Sequence, residues 1–219
     1  MIYLFSNERF GLAFRRTARK LCGEHKVSLI IVASARYRKR GTVRGWLDKV
    51  RNRWSIITGR CLNGFVGYVA IVQVADVNSR EFLKNITPAD YGVVAGFNQI
   101  FSENSIGRFK RIVNFHPSVL PLYRGPIPSY WCLLNKERKT GFTLHVITSK
   151  IDCGPILYQD VVAINDNDDE SNLDIKISNA AQGAFDAYLC HLIQGKEFIS
   201  RKIDATQVYA TPVDYAGFP

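Results

Sequence analysis

Asn114 and His116 stand two positions apart in the segment Asn114-Phe115-His116-Pro117-Ser118-Val119-Leu120-Pro121-Leu122-Tyr123-Arg124-Gly125. In extended chain, positions i and i+2 point to the same side. An amide that donates without ionising and an imidazole that takes up a proton near neutral pH are therefore presented together. Two prolines and a glycine stiffen and turn the chain after them, so these polar groups are held in fixed positions, as a catalytic pair requires. The competing reading makes His116 a loop histidine satisfied by backbone groups and Asn114 a turn residue.

A second segment, residues 140–157, carries the strand-like run Thr140-Gly141-Phe142-Thr143-Leu144-His145-Val146-Ile147 into a loop where Asp152 is followed by Cys153, Gly154 and Pro155. A carboxylate brought beside His116 would raise the imidazole's pKa and orient the ring. Taken alone, an aspartate in such a loop is a turn former, and Cys153 reads as inert packing. The acidic run Asp166, Asp168, Asp169 and Glu170 is not a calcium loop, because Ser171 and Ile177 stand where glycine and glutamate are needed. It reads as a solvated turn at a helix N-terminus. His25, His145 and His191 are dispersed singles, read as structural, with His145 inside a strand and none given a ligand role.

The elements that must position these residues alternate between strand and helix. Met1 to Phe5 reads as a buried strand, and Phe10, Ala13, Phe14, Thr17, Ala18 and Leu21 follow at helical spacing. Val27 to Ala33 is an uninterrupted apolar run, as in a parallel strand covered on both faces. A second helical stripe runs through Val43, Trp46, Leu47, Val50 and Trp54. Further strands are expected within 66–75 and at 91–95, 112–114 and 142–147, with 155–164 as an antiparallel edge. Ser79 caps a short helix, residues 104–109 form a brief one, and another starts near Pro128. Ser171 opens a long helix that Gly195 stops. The pattern predicts an α/β, Rossmann-like fold: a predominantly parallel sheet with helices on both faces, and ligands beyond the carboxyl ends of the strands. Residues 1–195 are expected to form one catalytic domain, with 196–219 a tail packing on it.

The chain has 219 residues and a formal charge of +10. Residues 1–60 hold 15 basic and 3 acidic side chains, a net +12, and the other 159 hold 14 and 16, a net −2. That asymmetry fits an anionic partner near the N-terminal segment, or else a solvated basic surface. Five scattered cysteines without a C-x-x-C pair argue against a disulfide framework or structural zinc and for a reducing cytoplasm. No apolar run approaches the eighteen residues of a membrane span, and no signal peptide is expected.

Together N-F-H-P-S-V-L-P-L-Y-R-G at 114–125, T-G-F-T-L-H-V-I at 140–147 and I-D-C-G-P-I-L at 151–157 resemble the folate-dependent formyltransferases. The resemblance covers about residues 90–195, and the N-terminal third fits only by its β-α-β pattern. It implies transfer of the formyl group of 10-formyltetrahydrofolate to an amine, with Asn114, His116 and Asp152 as the catalytic trio. In that role His116 accepts the amine's proton, Asn114 donates to the oxyanion, and Asp152 orients His116, with no metal. Gly96, Phe97, Asn98, Gln99 and Ile100, with Leu120 and Ile151, are implied to line the pteridine pocket. Arg9, Ser118, Tyr123 and Arg124 are expected to meet the acceptor.

Sugar N-formyltransferases acting on nucleotide-linked amino sugars fit best. A chain of this length leaves no room for the C-terminal barrel of methionyl-tRNA formyltransferases. Ser6-Asn7-Glu8-Arg9-Phe10-Gly11 is not the glycine-rich phosphate loop of the phosphoribosylglycinamide enzymes. The Arg-rich 36–60 region or Arg9 would neutralise a nucleoside diphosphate. A homodimer is expected, with no membrane and no nucleic-acid partner. A phosphoribosylglycinamide formyltransferase, a formyltetrahydrofolate hydrolase and a basic nucleic-acid-binding protein remain the alternatives.

Overall fold

The computed structural model describes residues 1–6, 11–34 and 69–196. Arg9, Phe10, the helical stripe at 43–54, the Arg-rich region and all but the first residue of the 196–219 tail lie outside them. The elements in chain order are β1 (Ile2–Ser6), α1 (Gly11–Glu24), β2 (Leu29–Ser34), β3 (Val69–Val74), α2 (Arg80–Leu83), β4 (Tyr91–Ala95), α3 (Glu103–Ile106), β5 (Arg111–His116), α4 (Pro128–Leu134), β6 (Lys139–Val146), β7 (Ile156–Ala163) and α5 (Glu170–Ile193).

One seven-stranded sheet runs in the order β3-β2-β1-β4-β5-β6-β7. Strands β1 to β5 pair in parallel, and β6 and β7 are added antiparallel. The expected architecture is therefore present, including the antiparallel edge. Chain alternation divides the sheet into two apolar layers. On one face Leu4, Ile31, Val93, Val113, Phe115 and Leu144 pack with Phe14 and Ala18 of α1 and with Leu173, Ile177, Ala181 and Phe185 of α5. The four-residue spacing along α5 is what keeps those side chains on one stripe. On the other face Tyr3, Phe5, Ile30, Val32, Val94 and Ile112 pack with Phe82, Leu83, Ile86, Phe101 and Phe109. Helical segments thus cover both faces.

Local chemistry sets the boundaries. Ser79 Oγ accepts from Phe82 N and caps α2 as expected, and Gly195 adopts φ 67° beyond α5. The opening of α5 differs from expectation. Asp169 is the N-cap, its carboxylate accepting from Asn172 N, and the helix starts at Glu170, one residue before Ser171. β2 begins at Leu29, because Val27 N donates to Cys22 O and closes the α1 turn. β5 is longer than the expected 112–114 and includes His116, so Asn114 and His116 belong to the strand itself and are fixed by its ladder.

Candidate active site

Asn114 and His116 lie on the same side of β5 as Ile112, by alternation from Val113 and Phe115, which belong to the opposite layer. The antiparallel register sets His145 of β6 directly across from Asn114, and Thr143 across from His116. Facing side chains of such a pair stand within about 4.5–5.5 Å at Cβ. The contact follows: Asn114 Nδ2 is 3.2 Å from His145 Nε2.

Asp152 reaches this group from the turn after β6. Its Oδ2 accepts from Gly125 N at 2.8 Å and lies 3.5 Å from His116 Nδ1. Its Oδ1 lies 3.4 Å from both His145 Nε2 and Asn114 Nδ2. The turn is held by close packing: a Cβ on Gly154 would stand 1.8 Å from Val146 O, so only glycine fits there. Asp152 itself has φ 47°, and Gly125, whose amide meets it, has φ 94°. Tyr123 and Ile127, at φ 54° and 52°, add two more non-glycine residues in the left-handed region around the same site. Such conformations cost about 1–3 kcal/mol each and persist only where the surroundings impose them.

His116 is anchored by the main chain. Its Nε2 donates to Tyr123 O at 2.8 Å. A carbonyl only accepts, so in the neutral ring the lone pair falls on Nδ1, the nitrogen facing Asp152. The loop that delivers Tyr123 O contains a cis Leu120–Pro121 bond and is tied down in part by the Thr143 hydroxyl. Thr143 Oγ1 donates to Ser118 O at 2.7 Å and accepts from Leu120 N at 3.0 Å and Gln159 Nε2 at 2.8 Å, exhausting its bonding capacity. Burial pushes the His116 imidazole below its ordinary value, against the raising influence of the Asp152 charge. Burial alone would raise the Asp152 carboxyl, but positive charge on His116, a hydrogen bond from His145 and the Gly125 amide outweigh it and hold it well below the usual carboxylate range. His116 and Asp152 are a coupled pair: with one proton between Nδ1 and Oδ2, 3.5 Å apart, they attract, and without it two acceptors face each other.

These residues open into a cavity of about 500 Å³, within the size range of small-molecule sites. Asn114, His116, Asp152, Gly96, Phe97, Asn98, Gln99, Ile100 and Ile151 all line it. Gln99 is itself held, its Oε1 accepting from Val77 N and its Nε2 donating to Ser34 Oγ.

Other expectations need correction. Leu120 is buried and outside the lining. Ser118 is wholly buried, with its hydroxyl donated to Leu122 O, so it holds the loop and has no surface for an acceptor. Tyr123 serves the site through its carbonyl, while its hydroxyl donates to Glu137 and accepts from Asn135. Arg124 does not line the cavity. Arg9 lies outside the described residues.

His145 is the residue that sequence reasoning passed over. It lines the cavity and touches two of the three expected catalytic residues. The available signal was a histidine inside an otherwise apolar strand, since a buried polar side chain there requires a partner.

Among the described residues, no cluster of three or more His, Cys, Asp or Glu is arranged to hold a metal ion, and no helix is long and apolar enough to cross a membrane.

Residues 72–188 match the model of the formyl transferase family. The chain belongs to that family. Methionyl-tRNA formyltransferase from Thermodesulfovibrio yellowstonii is 36% identical over 107 residues, 48% of this chain and 34% of that one. The formyltransferase chain described here thus spans about a third of that relative's length.

Two solved structures share the fold at low identity. Phosphoribosylglycinamide formyltransferase from Anaplasma phagocytophilum superposes with a TM-score of 0.66 at 18% identity, over 93% of this chain and 94% of that one. The N-formyltransferase from Helicobacter canadensis, solved with folinic acid and dTDP-3-aminofucose, gives 0.65 at 16% identity, over 93% and 67%.

Proposed function

We propose that the protein moves the formyl group of 10-formyltetrahydrofolate to the amine of a nucleotide-linked amino sugar. The observation that carries the formyl-transfer reading is the convergence of Asn114, His116 and Asp152 on one cavity. The cavity's size and mixed lining, with Phe97, Ile100, Ile147 and Ile151 beside Asn98 and Gln99, suit a flat heteroaromatic ring with polar edges. The bound folate supplies an activated formyl carbon, and the chain's own groups do the rest.

His116 Nδ1 takes the proton that the acceptor nitrogen loses as the new C–N bond forms. Tyr123 O keeps the ring from turning, and Asp152 Oδ2 stabilises the imidazolium so made. Negative charge on the formyl oxygen is met by an N–H of Asn114. The same proton is then available, from His116 or through Asp152, to the departing folate nitrogen, so the enzyme ends in its starting state.

An amino-sugar acceptor is supported by the likeness to the Helicobacter canadensis structure and by the single glycine in Ser6-Asn7-Glu8-Arg9-Phe10-Gly11, a poor cradle for a phosphate. The sequence identity to a methionyl-tRNA formyltransferase favours a second reading, with aminoacyl-tRNA as acceptor.

Mass spectrometry of reactions containing 10-formyltetrahydrofolate and one of several nucleotide-linked amino sugars, glycinamide ribonucleotide or methionyl-tRNA tests this directly. A formylated sugar is expected. Exclusive reaction of glycinamide ribonucleotide or methionyl-tRNA overturns the acceptor, and deformylation with no acceptor modified makes the protein a hydrolase.

A further inference from the structure

We propose that the Ile127 side chain is a contact of the formyl donor, completing an apolar rim of the cavity against an aromatic face of the bound molecule and so setting donor affinity. The inference deepens the formyl-transfer reading and rests on it, but not on which acceptor is used.

Ile127 stands between Pro126 and Pro128 at the N-terminus of α4, with φ 52° and ψ 51°. Three local rules disfavour isoleucine there. A β-branched side chain in the left-handed region is an outlier, whereas glycine and asparagine enter that region readily. A residue before proline is pushed toward extended backbone. The N-cap of a helix favours Ser, Thr, Asp or Asn, and isoleucine has no group with which to cap. The turn itself is explained by main-chain needs. Two residues earlier Gly125 N meets Asp152 Oδ2 at 2.8 Å, and Ile127 O takes the first helical bond, from Tyr130 N at 3.1 Å. Asparagine or glycine would meet those needs equally well, so they leave the identity of the side chain unaccounted for.

Burial does not account for it either. Ile127 is 43% exposed and belongs to neither apolar layer of the sheet among the described residues. It lines the cavity that holds His116 and Asp152. Ile100 and Ile151, also exposed, line the same cavity from two other loops. A single exposed isoleucine is ordinary on a protein surface. Three around one cavity, one of them held against its own conformational preference, call for an apolar ligand surface. A local rule broken beside a site, with no gain to the fold, marks a side chain kept for what binds there. An aliphatic group offers nothing to a phosphate or an amine and gains by covering the flat face of a ring, which the folate donor supplies.

Calorimetric titration with folinic acid reads donor-site affinity without turnover. Ile127→Asn is expected to weaken binding about 10-fold, the effect of losing the contact of one half-covered aliphatic side chain. Its melting temperature is expected to hold level or rise, because the left-handed backbone is relieved. Ile127→Leu keeps the apolar bulk and is expected to bind within about threefold of wild type. Leu134→Asn, the same kind of change at an exposed residue of α4 outside the cavity lining, is expected to bind as wild type does. In turnover, Ile127→Asn is expected to raise the KM for 10-formyltetrahydrofolate about 10-fold with kcat within about threefold, the pattern of a contact made equally in the ground and transition states.

Wild-type affinity in Ile127→Asn, or an equal loss in Ile127→Leu, would overturn the proposal. So would a fall of more than about 4 °C in the melting temperature of Ile127→Asn, since the side chain would then be kept for the fold. A rise in KM confined to the acceptor would assign the contact to that molecule instead. Absence of folinic acid binding by the wild type removes the functional reading and this inference together, whereas wild-type binding unchanged in Ile127→Asn removes the inference alone.

Discussion

On one face of β5, Val113 and Phe115 are sealed beneath α1 and α5, with the Phe115 ring 5.4 Å from those of both Phe14 and Phe185. On the other, Asn114 and His116 face a cavity among groups that burial penalises and backbones that resist their conformation. The two sets alternate along six residues of one strand. The first lowers the free energy of folding simply by leaving water. The second costs stability, in a neutralised histidine and in left-handed Tyr123, Ile127 and Asp152, and the aromatic layer behind it is what holds those groups in register. The comparison teaches that the site's rigidity is borrowed from the opposite side of the same strand.

Perturbing each side separately sharpens the contrast. Asp152→Asn keeps the shape but removes the charge that stabilises protonated His116, and kcat is expected to fall by about 10³-fold, far more than the fraction folded at the assay temperature. Steady-state kinetics beside thermal unfolding checks this, and wild-type turnover would break the contrast outright. Phe185→Ala is the mirror experiment. It should cost about 3–5 kcal/mol of stability by denaturant titration, because Phe185 is fully buried against Phe14 and Phe115.

The smallest expected effect is a pH dependence. His116 in the folded protein lies below its ordinary value of 6.5, so as pH falls past 6.5 the unfolded chain binds a proton that the folded chain refuses. Its contribution to stability is complete above that pH and is lost progressively below it. Asp152 is also lowered, and its contribution is lost only at pH below the ordinary carboxylate value of 3.8. Between pH 7.5 and 5.5 the wild type should therefore lose more melting temperature than His116→Gln, and parallel curves would remove His116 from the account.

Much of this was legible in the sequence because it rests on local pattern. The uninterrupted apolar runs of β1 and β2, the spacing along α5 and the capping Ser79 each announce themselves within a few residues. Asn114, His116 and Asp152 were legible through their motifs. What stayed hidden depends on pairing between distant segments. Nothing local fixes the register that sets His145 opposite Asn114, and so a residue read as structural stands in the site. Ser118 and Tyr123 were misread for a related reason. Their residue types suggest side-chain contacts to an acceptor, whereas Ser118 is consumed in holding the loop and Tyr123 contributes a main-chain carbonyl. Composition carries no information about which carbonyl a fold will expose.

Three of the groups that set the chemistry, Tyr123 O, Val146 O and Gly125 N, belong to the peptide backbone. Substitution cannot delete the two carbonyls; it can only move them. A survey of tolerated replacements at Tyr123 and Val146 would therefore score both positions as permissive wherever the newcomer accepts the same torsions, although their carbonyls select opposite nitrogens on two histidines. The site can drift in sequence at its anchors while its proton map stays the same, and positions that matter most to that map are the ones a substitution screen is least equipped to find.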